Sequence, residues 1–170
     1  MLFDEPSYHE GTIHGGTQRG VPDVAYDSAV LHGGVLTYLD IPGLQTGFYL
    51  FGGTSAGSPQ WSAILAIADQ AAGHNLGYIN AALYHIAQAL PHYAVSLNDV
   101  TSGNNSFGGV AGFAAGPGWD PATGLGTPVA DQLVSYLIQF VSPGDGTAAI
   151  AGSMPHTHGY PPAPGHQKPH

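Results

Sequence analysis

A short apolar run, Phe48-Tyr-Leu-Phe51, meets a glycine pair and a serine, Gly52-Gly-Thr-Ser55, and a helical pattern follows at once. Trp61, Ile64, Leu65, Ala68 and Ala72 recur at helical spacing across residues 55–72, with mostly alanine and serine opposite. A strand, a tight glycine turn and a helix buried nearly all round belong to a layered α/β arrangement, and few other architectures accept that order. Phe48–Phe51 is apolar throughout, as expected of a strand buried on both faces.

The remaining elements fit the same class. Val21–Tyr26 and Gly34–Leu39 are β-branched and aromatic runs bounded by glycine and proline, so strands are expected there. A second helix is predicted from about Tyr78 to Leu90, with Ile79, Leu83, Ile86 and Leu90 as its stripe and Pro91 as its stop. A third begins at Thr127-Pro128, with Val129, Leu133, Leu137 and Phe140 as its stripe. A glycine-rich loop fills residues 99–126. The fold class is α/β with a mainly parallel sheet flanked by helices. Three strands and three helices are few for such a domain and point to part of a larger doubly wound sheet. Residues 1–150 form the folded portion, and the Pro- and His-rich residues 151–170 are expected to be a disordered tail.

Composition narrows the function classes. Charged residues make up only 8% of the 170, against roughly 25% in an average soluble chain. Arg19 and Lys168 are the only basic residues, too few to neutralise a nucleic-acid backbone. There is no cysteine, hence neither a disulfide nor a thiolate metal site. No stretch approaches the roughly 18 consecutive apolar residues of a membrane span. The first residues lack the basic start and apolar stretch of a signal peptide.

Ser55 is the candidate nucleophile. At a helix N-terminus its backbone N–H can face an oxyanion, and the helix dipole favours negative charge there. Gly52, Gly53 and Gly57 let a substrate backbone approach without Cβ clashes. An ordinary N-cap serine would look the same. Gly53-Thr-Ser-Ala-Gly57 also fits the G-x-S-x-G elbow of α/β-hydrolase esterases, with Asp120 or Asp131 and then His156 or His158 downstream. Asp99 and Asp120, separated by a glycine-rich loop, suit either turn caps or a calcium ion, which takes six or more oxygens from carboxylates, carbonyls and water. His156, His158 and His170 could catch a transition metal, and Asn104-Asn-Ser106 fits a glycosylation sequon.

Gly-Gly-Thr-Ser-Ala-Gly-Ser-Pro59 followed by an apolar helix resembles the nucleophile turn of the subtilisin-like peptidases. Several further segments resemble the sedolisins, the serine-carboxyl peptidases. These are Arg19-Gly-Val-Pro-Asp-Val24, Pro59-Gln-Trp61, Asp99-Val-Thr-Ser-Gly-Asn-Asn105 and the run from Gly116-Pro-Gly-Trp-Asp120 to Pro128. The ordered combination, over roughly residues 5–140, is far more specific than any one motif. The resemblance implies a partial subtilisin-like fold and a secreted, acid-acting endopeptidase with a polypeptide substrate and one structural calcium. It assigns Ser55 as nucleophile, the Asp99 and Asp120 side chains as calcium ligands, and Val100, Gly116 and Gly118 as carbonyl donors.

In sedolisins the base is a glutamate oriented by an aspartate one turn later, with another aspartate at the oxyanion hole. Here the only glutamates are Glu5 and Glu10, with His9 and His14 four residues on. The chain therefore resembles the C-terminal half of the catalytic domain. The expectation is negligible activity and poor solubility for the isolated chain, or a non-catalytic calcium-binding remnant, unless the N-terminal half joins it.

Overall fold

The computed structural model describes residues 3–13, 17–31 and 33–141. The 151–170 tail, with His156, His158 and His170, lies outside them, as does His14. Strands β1 (Val35–Leu39) and β2 (Gly47–Phe51) form an antiparallel ribbon in which Leu36 faces Leu50 and Tyr38 faces Phe48. Helix α1 (Thr54–Ala72) follows directly. Then come α2 (Asn80–Gln88), α3 (Leu90–Ser96) and β3 (Leu97–Asn98). A long loop leads to β4 (Thr127–Pro128), which pairs antiparallel with β3, and to α4 (Ala130–Phe140).

The core sits among the helices. Helix α4 packs on α1 and α3, and its apolar stripe buries Leu133 and Leu137 completely. Ala68, Leu83, Ile86, Leu97 and Leu125 close around them. Each fully buried leucine or isoleucine stabilises this layer by roughly 1.5–3 kcal/mol.

Four expectations give way. Among the described residues both ladders are antiparallel, so the mainly parallel sheet is absent there. The Val21–Tyr26 segment forms no regular strand, and the backbone beside it belongs to a loop. Ala25 N–H donates to the Gly126 carbonyl (2.9 Å) and Leu125 N–H to that of Asp23 (2.8 Å), while Pro22 has no donor to offer. Strand β2 is not buried on both faces: Phe48 is 70% exposed, and Leu50 and Phe51 are also exposed. The Leu36, Tyr38, Phe48 and Leu50 face of the ribbon is an exposed apolar surface. Helix α1 buries only Gly57, Ile64 and Ala68, and Ile67 points outward, because its main helical neighbour among the described residues is α4.

Helix boundaries moved for local reasons. The chain breaks at Ala89, and Pro91 sits in the first turn of α3, where its missing N–H costs little. Thr127-Pro128 pairs with β3, so α4 begins at Ala130 instead. Asp69 and Asp27 serve as turn caps. Asp69 accepts from the Leu76 N–H (2.8 Å), and Asp27 accepts from Ala29 (3.2 Å) and Gly34 (3.0 Å).

Asp23 is the hub that ties the N-terminal arm to α2. Its carboxylate receives the Arg19 guanidinium, the Asn80 amide (2.9 Å) and the Tyr84 hydroxyl (3.0 Å). Arg19 also donates to Tyr8, whose hydroxyl meets that of Tyr78 at 2.7 Å. His9, which reads as a polar loop residue in the sequence, is 0% exposed and packs in a cluster with the Tyr8 and Tyr84 rings, which also touch each other.

Burial first, and then the Arg19 charge, push the His9 pKa below its usual value; Asp23 and Glu5 only partly oppose them. The folded arm therefore prefers neutral His9. Its stabilising contribution is full above the unfolded value near 6.5 and is lost as pH falls below it. After correction for the intrinsic pH dependence of amide exchange, the protection factors of residues 3–13 should fall several-fold between pH 7 and pH 5, and His9→Gln should flatten that dependence. An equally steep profile in His9→Gln would assign the effect elsewhere.

Residues 103–115 form a self-contained hairpin. Phe107 and Val110 exchange backbone hydrogen bonds across Gly108-Gly109, and Asn105 N–H and Ala115 N–H reach the carbonyls of Phe113 and Gly103. Asn104 is exposed there, its side chain accepting from Ser106 N–H (3.0 Å).

Candidate functional site

Ser55 is the second residue of α1 and is exposed. The strand-to-helix turn is made by Gly53, with φ +85°, a conformation that an L side chain rarely adopts. Gly53 N–H donates to the Ser28 carbonyl (2.7 Å), fixing the turn, and its own carbonyl accepts from Ala56 (2.9 Å). Gly57 lies against Tyr26, where a Cβ would stand 3.0 Å from that residue's Cβ. Pro59 lies inside the helix. Lacking an N–H, it leaves the Ser55 carbonyl without its usual intrahelical partner. The first turn of α1 is thus pinned at Gly53 and Gly57, with Ser55 on its open side.

None of the hydrogen bonds among the described residues involves the Ser55 hydroxyl. Neither Glu5 nor Glu10 reaches it. The Glu10 carbonyl is instead held by Gln88 on α2 (2.7 Å). A cavity of about 360 Å³ lies nearby, lined by Tyr26, Asp27, Gly34, Val35, Gln60, Thr127 and Pro128, and Ser55 is not among its walls. Asp120, one acid of the esterase reading, is fully engaged within its own loop.

That loop brings Asp99 and the Gly116–Asp120 turn together. Asp120 is 6% exposed. Its carboxylate accepts four hydrogen bonds, from the N–H groups of Gly116 (3.0 Å), Ala122 (2.8 Å) and Thr123 (2.8 Å) and from the Thr123 hydroxyl (3.0 Å). Burial alone would raise its pKa. The three amides and the hydroxyl outweigh burial and hold it below the ordinary carboxylate value.

Asp99 differs. One of its oxygens accepts from Gly118 N–H (2.8 Å), and the other is buried with no hydrogen-bond partner among the described residues. A buried carboxylate oxygen without a donor is costly, and a cation is the natural way to satisfy it. Among the described residues no hydrogen bond ends on the carbonyls of Val100, Gly116 or Gly118. No group of three or more His, Asp or Glu side chains forms among them either. A cation here would therefore draw most of its oxygens from backbone and water, a mixture that suits calcium better than a transition metal. The residues fit the ion.

Sequence reading missed the hub at Asp23 and the buried His9. The spacing that unites them is 57 and 61 residues long in the Asn80 and Tyr84 contacts, and no local pattern reports it. Arg19, four residues before Asp23, was the one available signal.

No protein-family model matches the chain. Individual proteins do. It is 38% identical over 138 residues to kumamolisin of Bacillus sp. (strain MN-32), across 81% of this chain and 22% of that protein. It is 37% identical over 142 residues to tripeptidyl-peptidase sed1 of Aspergillus fumigatus, across 79% of this chain and 19% of that protein. The chain thus spans about a fifth of the length of these relatives. Its fold matches a structure of Pseudomonas sedolisin, a serine-carboxyl proteinase complexed with two molecules of pseudo-iodotyrostatin. The TM-score is 0.66 at 31% identity, over 81% of this chain and 34% of that one. The shared fold is the α/β fold of sedolisin. By sequence and by fold together, the chain belongs to the sedolisin family of serine-carboxyl peptidases.

Proposed function

We propose that this stretch is the C-terminal portion of the catalytic domain of a secreted, acid-acting endopeptidase, and that Ser55 is its nucleophile. The observation that carries the reading is the exposed Ser55 at the first turn of α1, directly after the positive-φ Gly53 turn. The Ser55 oxygen attacks the scissile carbonyl of a polypeptide. The Ser55 N–H, at the positive end of the helix, stabilises the oxyanion. The C–N bond then breaks as the nitrogen takes up the proton lost by Ser55, the amine leaves, and the acyl-enzyme that forms is hydrolysed by water. The proton of the serine goes to a glutamate–aspartate pair outside these residues, and the oxyanion aspartate is supplied from there as well.

One calcium ion, held by the Asp99 and Asp120 side chains and the carbonyls of Val100, Gly116 and Gly118, would cross-link the two ends of the long loop. The N-terminal portion of the domain would cover the exposed apolar face of Leu36, Tyr38, Phe48 and Leu50. Among the described residues no helix is long and apolar enough to cross a membrane.

At pH 4 the 170-residue chain alone should cleave a denatured polypeptide no faster than its Ser55→Ala variant. When the base-bearing portion is supplied, cleavage and labelling by a serine-directed phosphonate should appear and depend on Ser55. Efficient Ser55-dependent cleavage by the chain alone would disprove the missing base. Equal activity of Ser55→Ala in the complemented protein would disprove the nucleophile.

A further inference from the structure

Helix α3 carries one group that meets the glycine-rich loop and leads directly to a second. It runs directly into β3, so Asp99 follows its last residue by only three positions. One turn inside it stands Tyr93, 8% exposed, whose hydroxyl donates to the Leu125 carbonyl at 3.1 Å. Leu125 lies five residues beyond Asp120, at the closing end of the turn that engages the Asp120 carboxylate, and is itself 1% exposed. Burial and the neighbouring Asp99 carboxylate push the Tyr93 pKa up, so the hydroxyl stands beside Asp99 while it is bonded to Leu125, and Tyr93 joins the Asp99 leg of the loop to the Asp120 leg.

The two legs are also joined by the short β3–β4 pairing, by the Gly118 N–H on Asp99 and, farther out, by the Ala115 N–H on the Gly103 carbonyl at the foot of the hairpin. Asp120 is satisfied by four donors from its own turn, so that turn holds its shape by itself. Its direct link to Asp99 is the Gly118 N–H, which engages one carboxylate oxygen and leaves the other without a hydrogen-bond partner.

We propose that Tyr93 is a positioning residue for a divalent cation between Asp99 and Asp120, setting the separation of the two legs through its hydrogen bond to Leu125. This rests on the calcium reading of the loop. A group that orients ligands without touching the ion typically changes metal affinity about 10–100-fold when removed. A purely structural tyrosine would change the melting temperature equally with and without calcium.

The test is calorimetric titration of the 170-residue chain and its Tyr93→Phe variant with calcium chloride, alongside melting in calcium and in chelator. Tyr93→Phe keeps the ring in the core, and its affinity should fall about 10-fold, with the larger loss of melting temperature in calcium. Unchanged affinity, or equal losses in both conditions, would overturn the assignment. Should the variant not fold, the wild-type chain still decides. The NMR shift of the Tyr93 ring carbon bearing the hydroxyl should move on calcium saturation while that of exposed Tyr38 stays put, and a stationary Tyr93 signal would overturn it. A wild-type chain that binds no calcium removes the calcium reading and this inference together, whereas binding that is blind to Tyr93 removes only the inference.

Discussion

Asp120→Ala is expected to lower stability by about 3–5 kcal/mol whether or not calcium is present. The side chain accepts four hydrogen bonds, it is almost fully buried, and its loss leaves the Gly116, Ala122 and Thr123 amides without their acceptor. Hydrogen bonds to a charged acceptor contribute about 1.5–3 kcal/mol each and are not additive, so the total stays below their sum.

Asp99→Asn should behave in the opposite way. Its one buried, partnerless oxygen adds little to the calcium-free fold. The variant should melt within about 1 kcal/mol of wild type in chelator and lose the stabilisation that calcium adds. Urea denaturation of both variants with and without calcium reads the contrast directly. Matching behaviour of the two variants would mean that the loop does not divide into a self-supporting half and a cation-dependent half.

The same geometry fixes the pH response of the loop. Asp120 has its pKa lowered in the fold, so its contribution is present above the unfolded carboxylate value near 3.9 and fades as pH falls through the folded value. Acid should therefore begin to weaken this turn only as pH falls below about 4, in contrast to the arm anchored by His9, which weakens below about 6.5.

The second large effect is expected at Gly124. Its φ is +60°, and a Cβ there would stand 2.5 Å from the carbonyl carbon and oxygen of Asp23. An alanine incurs roughly 1–2 kcal/mol for the left-handed conformation, and relieving the backbone collision adds typically 1–3 kcal/mol. Gly124→Ala should lose about 3 kcal/mol or more. It should also displace Asp23, so the arm carrying His9 should exchange faster in this variant. Retention of full arm protection would show that the loop and the hub are mechanically separate.

Much of the site was legible because its chemistry is local. Gly53, Ser55 and Pro59 mark the start of α1 to within a residue, and the stripe Leu133, Leu137, Phe140 marks α4, because capping and periodicity act over one or two turns. The glycine spacing around Asp99 and Asp120 left turn caps and an ion site both open, and the calcium assignment came only with the family resemblance.

The sheet was not. Strand propensity in Val21–Tyr26 reports a residue's suitability for extended backbone but not whether a second strand lies beside it, and here a loop does. The apolar run of β2 signals a wish for burial on both faces, which a two-stranded ribbon cannot grant. Asp23 and His9 were illegible for a different reason: their partners Asn80 and Tyr84 lie on a distant helix, and no periodicity encodes that meeting.

The hairpin at residues 103–115 closes on itself between the two legs of the loop, and its tip at Gly108-Gly109 is exposed. A single peptide-bond scission at that tip would leave one fragment with Ser55 and Asp99 and another with Asp120 and α4. The fragments would remain associated through α4 on α1 and the β3–β4 pair, yet their affinity for each other would now depend on concentration and on calcium. A bond that never touches the serine would then decide whether the nucleophile keeps its scaffold after dilution.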